Sequence, residues 1–423
     1  MLKFLFKGII RDRARSLLPV IVITIGVLVV VAMDGTIGGM MSSMINMTAN
    51  FQTGHVKIMT RAYAADEEQK PNDLALLDID EMMVMLQSDF PDVDWTPRIM
   101  FGGLLDIPDA HGETKAQGPV MGQSFDLLSL HSREIERMGL RKALVAGDVI
   151  KQSGEVLVSV DFAEKYTVSP GDTVTFFGST MYGSMSFANY TVAGVLRFGM
   201  TLFDRGAIIL DISDARELLD MEDAASEIFG FFPNELYDRE HAEEIKNRFN
   251  TQFAGDEDEF APVMLQLADQ QMMKEMLGYM NSVSGVAAGL LVIALSIVLW
   301  NAGILGGIRR YNEFGIRLAM GEDKRHIYGT LLTESLLIGV IGSVIGTILG
   351  VVLCRYLSQN GLDYSQVMEN ISMMIDPVIR AELTPRTYYI GFFPGIISML
   401  IGTALAGRAI YKRKTAMLFK ELD

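Results

Sequence analysis

The sequence predicts an α-helical membrane protein with four transmembrane helices and an α+β extracytoplasmic domain inserted between the first and second spans. Three observations predict it. Four apolar runs are long enough to cross a bilayer, the cations cluster in short segments flanking those runs, and the acids collect in one long polar segment after the first run. A run of 18 or more apolar residues crosses a hydrocarbon core about 30 Å thick at about 1.5 Å per helical residue.

The first run, Leu17 to Met33, follows a basic start containing Lys3, Lys7, Arg11, Arg13 and Arg15. It is too long for a cleaved secretory signal and no small-x-small site follows it, so an uncleaved anchor is expected. Spans are expected at 17–40, 281–308, 327–357 and 387–407. Around them lie cytoplasmic segments 1–16, 309–326 and 408–423, an outer domain at 41–280 and a short outer loop at 358–386.

Orientation follows from charge. Residues 1–15, 309–326 and 408–423 together hold 15 Lys and Arg against six acids, whereas residues 41–280 hold 18 against 40. Basic residues are retained in the cytoplasm, which places both termini and 309–326 there and the acidic segment outside. The whole chain carries a formal charge of −16 although 49% of its 423 residues are hydrophobic, as expected when polar and apolar regions are separate. The one cysteine, Cys354, lies in an apolar run. With no intrachain disulfide available, the outer domain depends on its own core.

Within that domain, Met82, Met85 and Leu86 recur at helical spacing and Pro91 ends the helix. "GEVLVSVDFAEKY" predicts a strand and a short helix with Asp161 as its cap; "SPGDTVTFFG", "NYTVAGVLRF" and "GAIILDIS" predict three more strands. "DISDARELLDM" and "DREHAEEIKNRF" predict exposed helices on either side of "SEIFGFFP". Helical character is expected to continue past both membrane junctions, through Met40, Met44 and Met47 after the first span and through "MLQLADQQMMKEMLGYM" before the second.

No catalytic motif is present. The chain lacks GxxxxGK[ST], HExxH and GxSxG, and His55, His111, His131, His241 and His326 are scattered. The 28 methionines could serve soft cuprous ions, but adaptable packing is the commoner use of a thioether. No metal, cofactor or nucleic acid is expected on this chain. In the third span, Gly342, Gly346 and Gly350 recur every four residues, a spacing that lets two helices approach closely, either within the chain or as a dimer seam. Asp34 and Glu334 are costly in lipid and are expected to face protein or water.

The segment "RRYNEFGIRLAMGEDKRHI" (309–327) interrupts two apolar runs. Glu313 and Arg317 stand at i,i+4, as do Phe314 and Leu318. Gly321 is placed to end this short amphipathic helix and Asp323 to cap the next. By itself such a helix could lie on anionic lipid.

"EFGIRLAMG" (Glu313 to Gly321), flanked by basic residues, resembles the signature of the FtsX-like permeases of ABC transporters. The likeness covers Glu313, Gly315, Ile316, Arg317, Ala319 and Gly321 and departs at Glu322, where a small residue is usual. "SGEVLVSVDFAEKYTVSPGDTVTF", "YTVAGVLRF" and "GAIILDISDARELL" resemble the periplasmic core domain of the macrolide-exporter and lipoprotein-releasing permeases, and "TGHVKIM" resembles the latter branch. The basic tail is similar too, with Thr415 where proline is common.

This resemblance implies a coupling helix carrying Glu313, Phe314, Gly315, Arg317, Leu318 and Gly321, seated on a cytoplasmic ABC ATPase dimer that holds the ATP and Mg. It implies a second permease copy or paralogue, contact with membrane lipid, room for a periplasmic or outer-membrane partner, and a bacterial inner-membrane location. The implied action is mechanotransmission: ATP-driven movement of outer domains that exports or extracts a lipoprotein, lipid or other amphipathic cargo. A membrane-anchored sensor or scaffold without transport is the alternative.

Overall fold

The computed structural model describes residues 13–109, 111–199, 201–233, 236–255, 258–308, 316–363 and 378–412. The chain divides into two compact units, one drawn from Met1–Ser42, Gly278–Asp363 and Val378–Asp423, the other from Ser43–Leu277 and Tyr364–Pro377. In chain order the main helices are α1 (Arg13–Thr48), α2 (Ile79–Asp89), α3 (Val160–Tyr166), α4 (Ile212–Leu219), α5 (Arg239–Gln252), α6 (Gln271–Ile308), α7 (Lys324–Asn360) and α8 (Met399–Lys412).

Among the described residues, three helical segments are long and apolar enough to cross a membrane: Leu17–Thr53, Lys324–Asn360 and Pro385–Arg408. The apolar run at 281–308 lies within α6, which is helical throughout. As expected, α1 continues past the first apolar run and α6 starts well before the second. The fourth run departs from the regular helix expected at 387–407. It opens with a 3₁₀ turn, Pro385–Tyr388, and a π-helical stretch, Phe393–Ser398, before α8 begins. Pro394 has no N–H to donate, so the regular ladder is interrupted there.

The glycine face of α7 is used within the chain. A Cβ built on Gly342 would lie 2.7 Å from Ile23, one on Gly346 2.7 Å from the Thr24 carbonyl oxygen, and one on Gly350 2.7 Å from Val31. Ile23, Val27 and Val31 of α1, four residues apart and fully buried, fill the groove these glycines leave. Of the two expectations for Gly342, Gly346 and Gly350, helix packing or a dimer seam, these contacts are packing within the chain, with α1 on that face. Where lipid supplies no hydrophobic drive, close backbone approach of this kind substitutes for it.

The outer unit is organised by strands β1 (Val56–Thr60), β2 (Leu76–Leu77), β3 (Asp94–Pro108), β4 (Thr114–Phe125), β5 (Leu144–Gly147), β6 (Glu155–Ser159), β7 (Thr173–Ser179), β8 (Met185–Leu196), β9 (Ala207–Asp211), β10 (Ala224–Ala225), β11 (Glu227–Phe231) and β12 (Pro262–Gln266). Ten of them form one sheet, β12-β1-β11-β3-β4-β9-β6-β8-β5, and β7 pairs with both β3 and β8. The pairings β3-β4-β9-β6-β8-β7-β3 thus close on themselves, so these six strands form a barrel with no free edge.

Alternation along each strand gives the barrel an inside and an outside. Phe101, Val120, Val158, Phe176, Val192 and Ile208 share the inner cluster, and the Phe101 and Phe176 rings meet edge to face at 5.3 Å. Gly103 and Gly122 stand where any side chain would strike these rings. A second cluster, including Leu86, Trp95, Ile245 and Phe249, packs α2 and α5 against β1, β11 and β12.

The strands expected from "GEVLVS", "DTVTFF", "NYTVAGVL" and "AIILD" form β6 to β9, and α2 ends just before Pro91. Two local expectations are corrected. The cap of α3 is Ser159, extended at ψ 151°, with Asp161 inside the first turn. The helix from "DISDARELLDM" is not simply exposed: α4 buries Ile212, Ala215, Leu218 and Leu219 in the barrel core.

The glycine face gives a paired test. Gly346→Ala forces its new methyl into the α1 backbone and should lower stability by about 1 to 3 kcal/mol, whereas a Cβ on Gly329 meets nothing within 4 Å. Gly329→Ala should therefore be neutral or stabilising by up to about 1 kcal/mol, by relief of glycine's entropy. Thermal unfolding of the purified protein measures both; equal effects would overturn the α1–α7 contact.

Candidate functional site

The candidate coupling segment is built by a helix stop and a helix start placed back to back. The helix described from 316 to 319 ends with Gly321 at φ +90°. The Glu322 N–H donates to the Arg317 carbonyl at 3.1 Å and the Gly321 N–H to that of Leu318 at 3.1 Å, the paired bonds of a Schellman ending. Asp323 then caps α7, its carboxylate accepting from the Arg325 N–H at 3.4 Å.

Side chains fix the turn further. Arg317 donates from Nε and Nη2 to the two Glu322 oxygens at 2.6 and 2.7 Å, a bidentate fork. Leu318 is half-buried against Ile327 and Leu331 at the start of α7. Leu318, expected in the coupling contact, thus packs in part against its own chain. The apolar side chains left exposed are Ile316, at 57%, and Met320, at 75%, one helical turn apart. Glu313, Phe314 and Gly315 lie outside the described residues. Sequence reasoning missed the Ile316 and Met320 pair although their i,i+4 spacing was visible.

Asp34 is engaged rather than open. Its carboxylate accepts from the Thr387 hydroxyl at 3.0 Å and pairs with Arg386 Nε at 3.3 Å. Thr384 and Thr387 form a capping box, so the acid of α1 is held by the turn that opens the last apolar segment. Glu334 is half-buried on α7.

The outer unit buries charges that the sequence presents as ordinary surface residues. Arg98 on β3 has no exposed surface, and its Nη2 donates to Glu134 at 2.6 Å. Glu134 also holds Arg137, which in turn pairs with Asp94. The Arg98 guanidinium lies 4.4 Å from the Phe229 ring centroid and 5.1 Å from that of Phe125. Such stacking suits a planar, weakly hydrated cation. Burial draws its pKa below the ordinary arginine value, and Glu134 opposes that drift.

On neighbouring strands, Lys57 of β1 and Glu227 of β11 are both fully buried and 3.5 Å apart. Lys57 also donates to Glu67 at 2.5 Å, and Lys70 reaches Glu227 at 3.1 Å. Burial works against the Glu227 charge, but Lys57 and Lys70 together outweigh it and hold the carboxyl below its usual range.

The stretch after α1 is fastened to this network. Ala49–Thr53 forms a π turn whose Asn50 carbonyl accepts from Arg98 Nη1 at 2.6 Å, while Asn50 Nδ2 donates to the Arg137 carbonyl at 3.0 Å. Gln270, just before α6, donates to the Thr53 carbonyl at 3.1 Å. His55, fully buried, accepts from the Phe232 N–H at 2.9 Å through Nδ1 and is ringed by Phe231, Phe232 and Tyr237. Burial, reinforced by Arg137, pushes its pKa down to about 4.

Among the described residues no group of three or more His, Cys, Asp and Glu side chains could hold a metal ion. In the methionine-rich stretch after the first span, Met47 packs against the cluster around Phe51 and Phe198.

Comparison with known proteins now has a geometry to refer to. The profile described as MacB-like periplasmic core domain matches residues 16–251, and that described as FtsX-like permease C-terminal matches residues 285–415. The chain belongs to the FtsX/MacB-type permease family. An FtsX/MacB-type permease is a membrane subunit of an ABC transporter, generally without catalysis of its own, carrying an extracytoplasmic domain. The family implies partnership with a cytoplasmic ABC ATPase and an inner-membrane location with a periplasmic domain.

The chain is also similar to the crystal structure of the periplasmic region of MacB from Actinobacillus actinomycetemcomitans, at 11% identity and a TM-score of 0.36, covering 55% of this chain and 95% of that one. No curated protein sequence matches it significantly.

Two predictions follow from the buried charges. Glu134→Leu strands Arg98 and should cost about 3 to 5 kcal/mol, whereas the double variant Glu134→Leu with Arg98→Met should recover much of that loss. Thermal or denaturant unfolding of the full chain decides it, and a double variant less stable than the single would contradict the clamp. For His55 the folded pKa is depressed, so the unfolded chain binds more protons between about pH 6.5 and 4 and stability falls as pH drops through that window. His55→Asn, whose side-chain oxygen can still accept from Phe232, should remove about 3 kcal/mol of that pH dependence; an unchanged acid-unfolding curve would exclude His55 as its source.

Proposed function

We propose that this permease crosses the membrane four times, with α6 as the second crossing, and transmits ATP-driven movement of a cytoplasmic ATPase dimer to its outer domain. The cargo class is a lipoprotein, lipid or other amphipathic molecule, exported or extracted on the outer side without passage through the bilayer. A second copy or a paralogue completes the permease pair. Both termini and the segment 309–326 lie in the cytoplasm and the outer unit in the periplasm, a reading the charge distribution supports.

The observation that carries this reading is the built turn at 316–323. Its backbone bonds, the Arg317–Glu322 fork and the Leu318 contact fix its shape from within, and none of these uses the side chain of Ile316 or Met320. Two exposed apolar side chains on a rigid, charged turn make a small docking knob, because rigidity removes the ordering cost that binding would otherwise pay. A helix meant only to lie on lipid needs no such internal bracing.

Replacing Ile316 and Met320 with Asp should abolish co-purification of the ATPase, a loss of at least about tenfold, while the thermal unfolding of the permease is unchanged. Stoichiometric ATPase retained by the doubly substituted permease would overturn the assignment.

A further inference from the structure

The barrel of the outer unit carries a band of outward apolar side chains that none of the described residues covers. Register places Pro119 of β4 opposite Leu104 of β3, Leu104 opposite Phe177 of β7, and Phe177 opposite Phe187 of β8. All four belong to the outward set, since Val120, Leu105, Phe176 and Ala188 beside them point to the inner cluster. The row is open: Leu104 is 45% and Phe187 71% exposed. The ring of strands is closed, so a partner cannot recognise this surface by adding a strand and must use the side chains.

At its β4 end the row runs into a cleft. Pro119 and Met121 form one wall, the α3 side chains Asp161, Lys165 and Tyr166 another, and Arg205 a third, around a volume of about 480 Å³. Lys165 leans over the Tyr166 ring at 4.8 Å. Two cations and one acid leave this cleft locally positive, in an outer segment whose residues 41–280 carry 40 acids against 18 bases. Positive charge beside an uncovered apolar strip, on an otherwise acidic domain, is the complement of an anionic amphiphile.

We infer that this face binds a single amphiphile, its alkyl chain along Pro119, Leu104, Phe177 and Phe187 and its phosphate or carboxylate head between Lys165 and Arg205. The inference deepens the transporter reading by naming a cargo chemistry, and rests on that reading only for its physiological meaning. Binding needs no ATPase, so the two fail separately: loss of ATPase capture tests the transporter, and labelling of this face tests the site.

The test places p-benzoyl-phenylalanine at Phe187, or at the fully exposed Leu130 as a control, in the full chain held in phosphatidylcholine nanodiscs. The probes are alkyne-tagged dodecyl phosphate, the same tail on neutral maltoside, and alkyne-tagged phosphatidylglycerol within the disc. Dodecyl phosphate should label position 187 and not position 130, and Lys165→Glu with Arg205→Glu should cut that yield at least about tenfold while leaving the weaker maltoside labelling unchanged. If the charge-reversed protein melts early, the Lys165→Gln, Arg205→Gln pair provides the same comparison. Equal labelling at 187 and 130, or a yield indifferent to both charge variants, overturns the site. Labelling by phosphatidylglycerol alone shows a bilayer contact and overturns it as well.

Discussion

Arg98 carries a charge with no access to water, and the outer unit is arranged around keeping that charge satisfied. An isolated buried guanidinium is prohibitively costly, so its neighbours are committed: Glu134 pairs with Nη2, the Asn50 carbonyl takes Nη1, and Phe125 and Phe229 lie against the guanidinium, with Nε alone left without a hydrogen-bond partner. Glu227 is its register partner on β11 and is itself claimed by Lys57 and Lys70. A ladder of buried ions therefore crosses β1, β11 and β3 at the strands nearest the π turn that follows α1. Hydrophobic residues of the same volume could fill this space, but they would not bond the Asn50 carbonyl. The clamp's effect is specificity of position, which matters in a domain with no disulfide to hold its entry segment.

The membrane unit meets a different constraint with a different solution. Apolar burial drives nothing in lipid, so contact must come from shape and from the few polar groups present. Glycines of α7 accept the branched side chains of α1, and Asp34 is neutralised by Arg386 and Thr387. Gly391 and Gly395 of the last apolar segment also come within contact range of Val27, so one valine is met from two sides. In the π-helical stretch around Pro394, the Pro394, Gly395 and Ser398 side is buried, so the irregular backbone is partly covered by protein, while Phe393 and Ile397 face outward.

Much of this was legible in the sequence, because strongly periodic or strongly apolar segments declare themselves. Strands β6 to β9 and the helix stop at Gly321 were readable from alternation and from turn chemistry. The central strands β1 and β11 were not. Their residues are buried on both faces, yet each contains a charge, Lys57 in "VKIMT" and Glu227 in "EIFGF", and a charge inside an apolar run imitates a surface position. What rescues those charges is pairing across strands that are 170 residues apart in sequence. Local pattern carries no trace of it. The glycine spacing of α7 was visible, but spacing alone cannot say whether the partner helix is in the same chain.

The coupling turn shows how a departure from a family pattern can be informative. A small residue is usual at the position of Glu322, and an added acid there looks at first like altered charge on a docking surface. Geometry gives it another role: both its oxygens are taken by Arg317, which shares the same turn. The fork neutralises each partner, so the pair adds little net charge for an ATPase to recognise and instead stiffens the turn. Of the apolar side chains described in this turn, Ile316 and Met320 stand clear of the bracing, and on the proposed coupling role they are the ones left for recognition. On the proposed coupling role, the partner's cleft would be apolar where it meets this pair, because Arg317 of the turn is already engaged by Glu322.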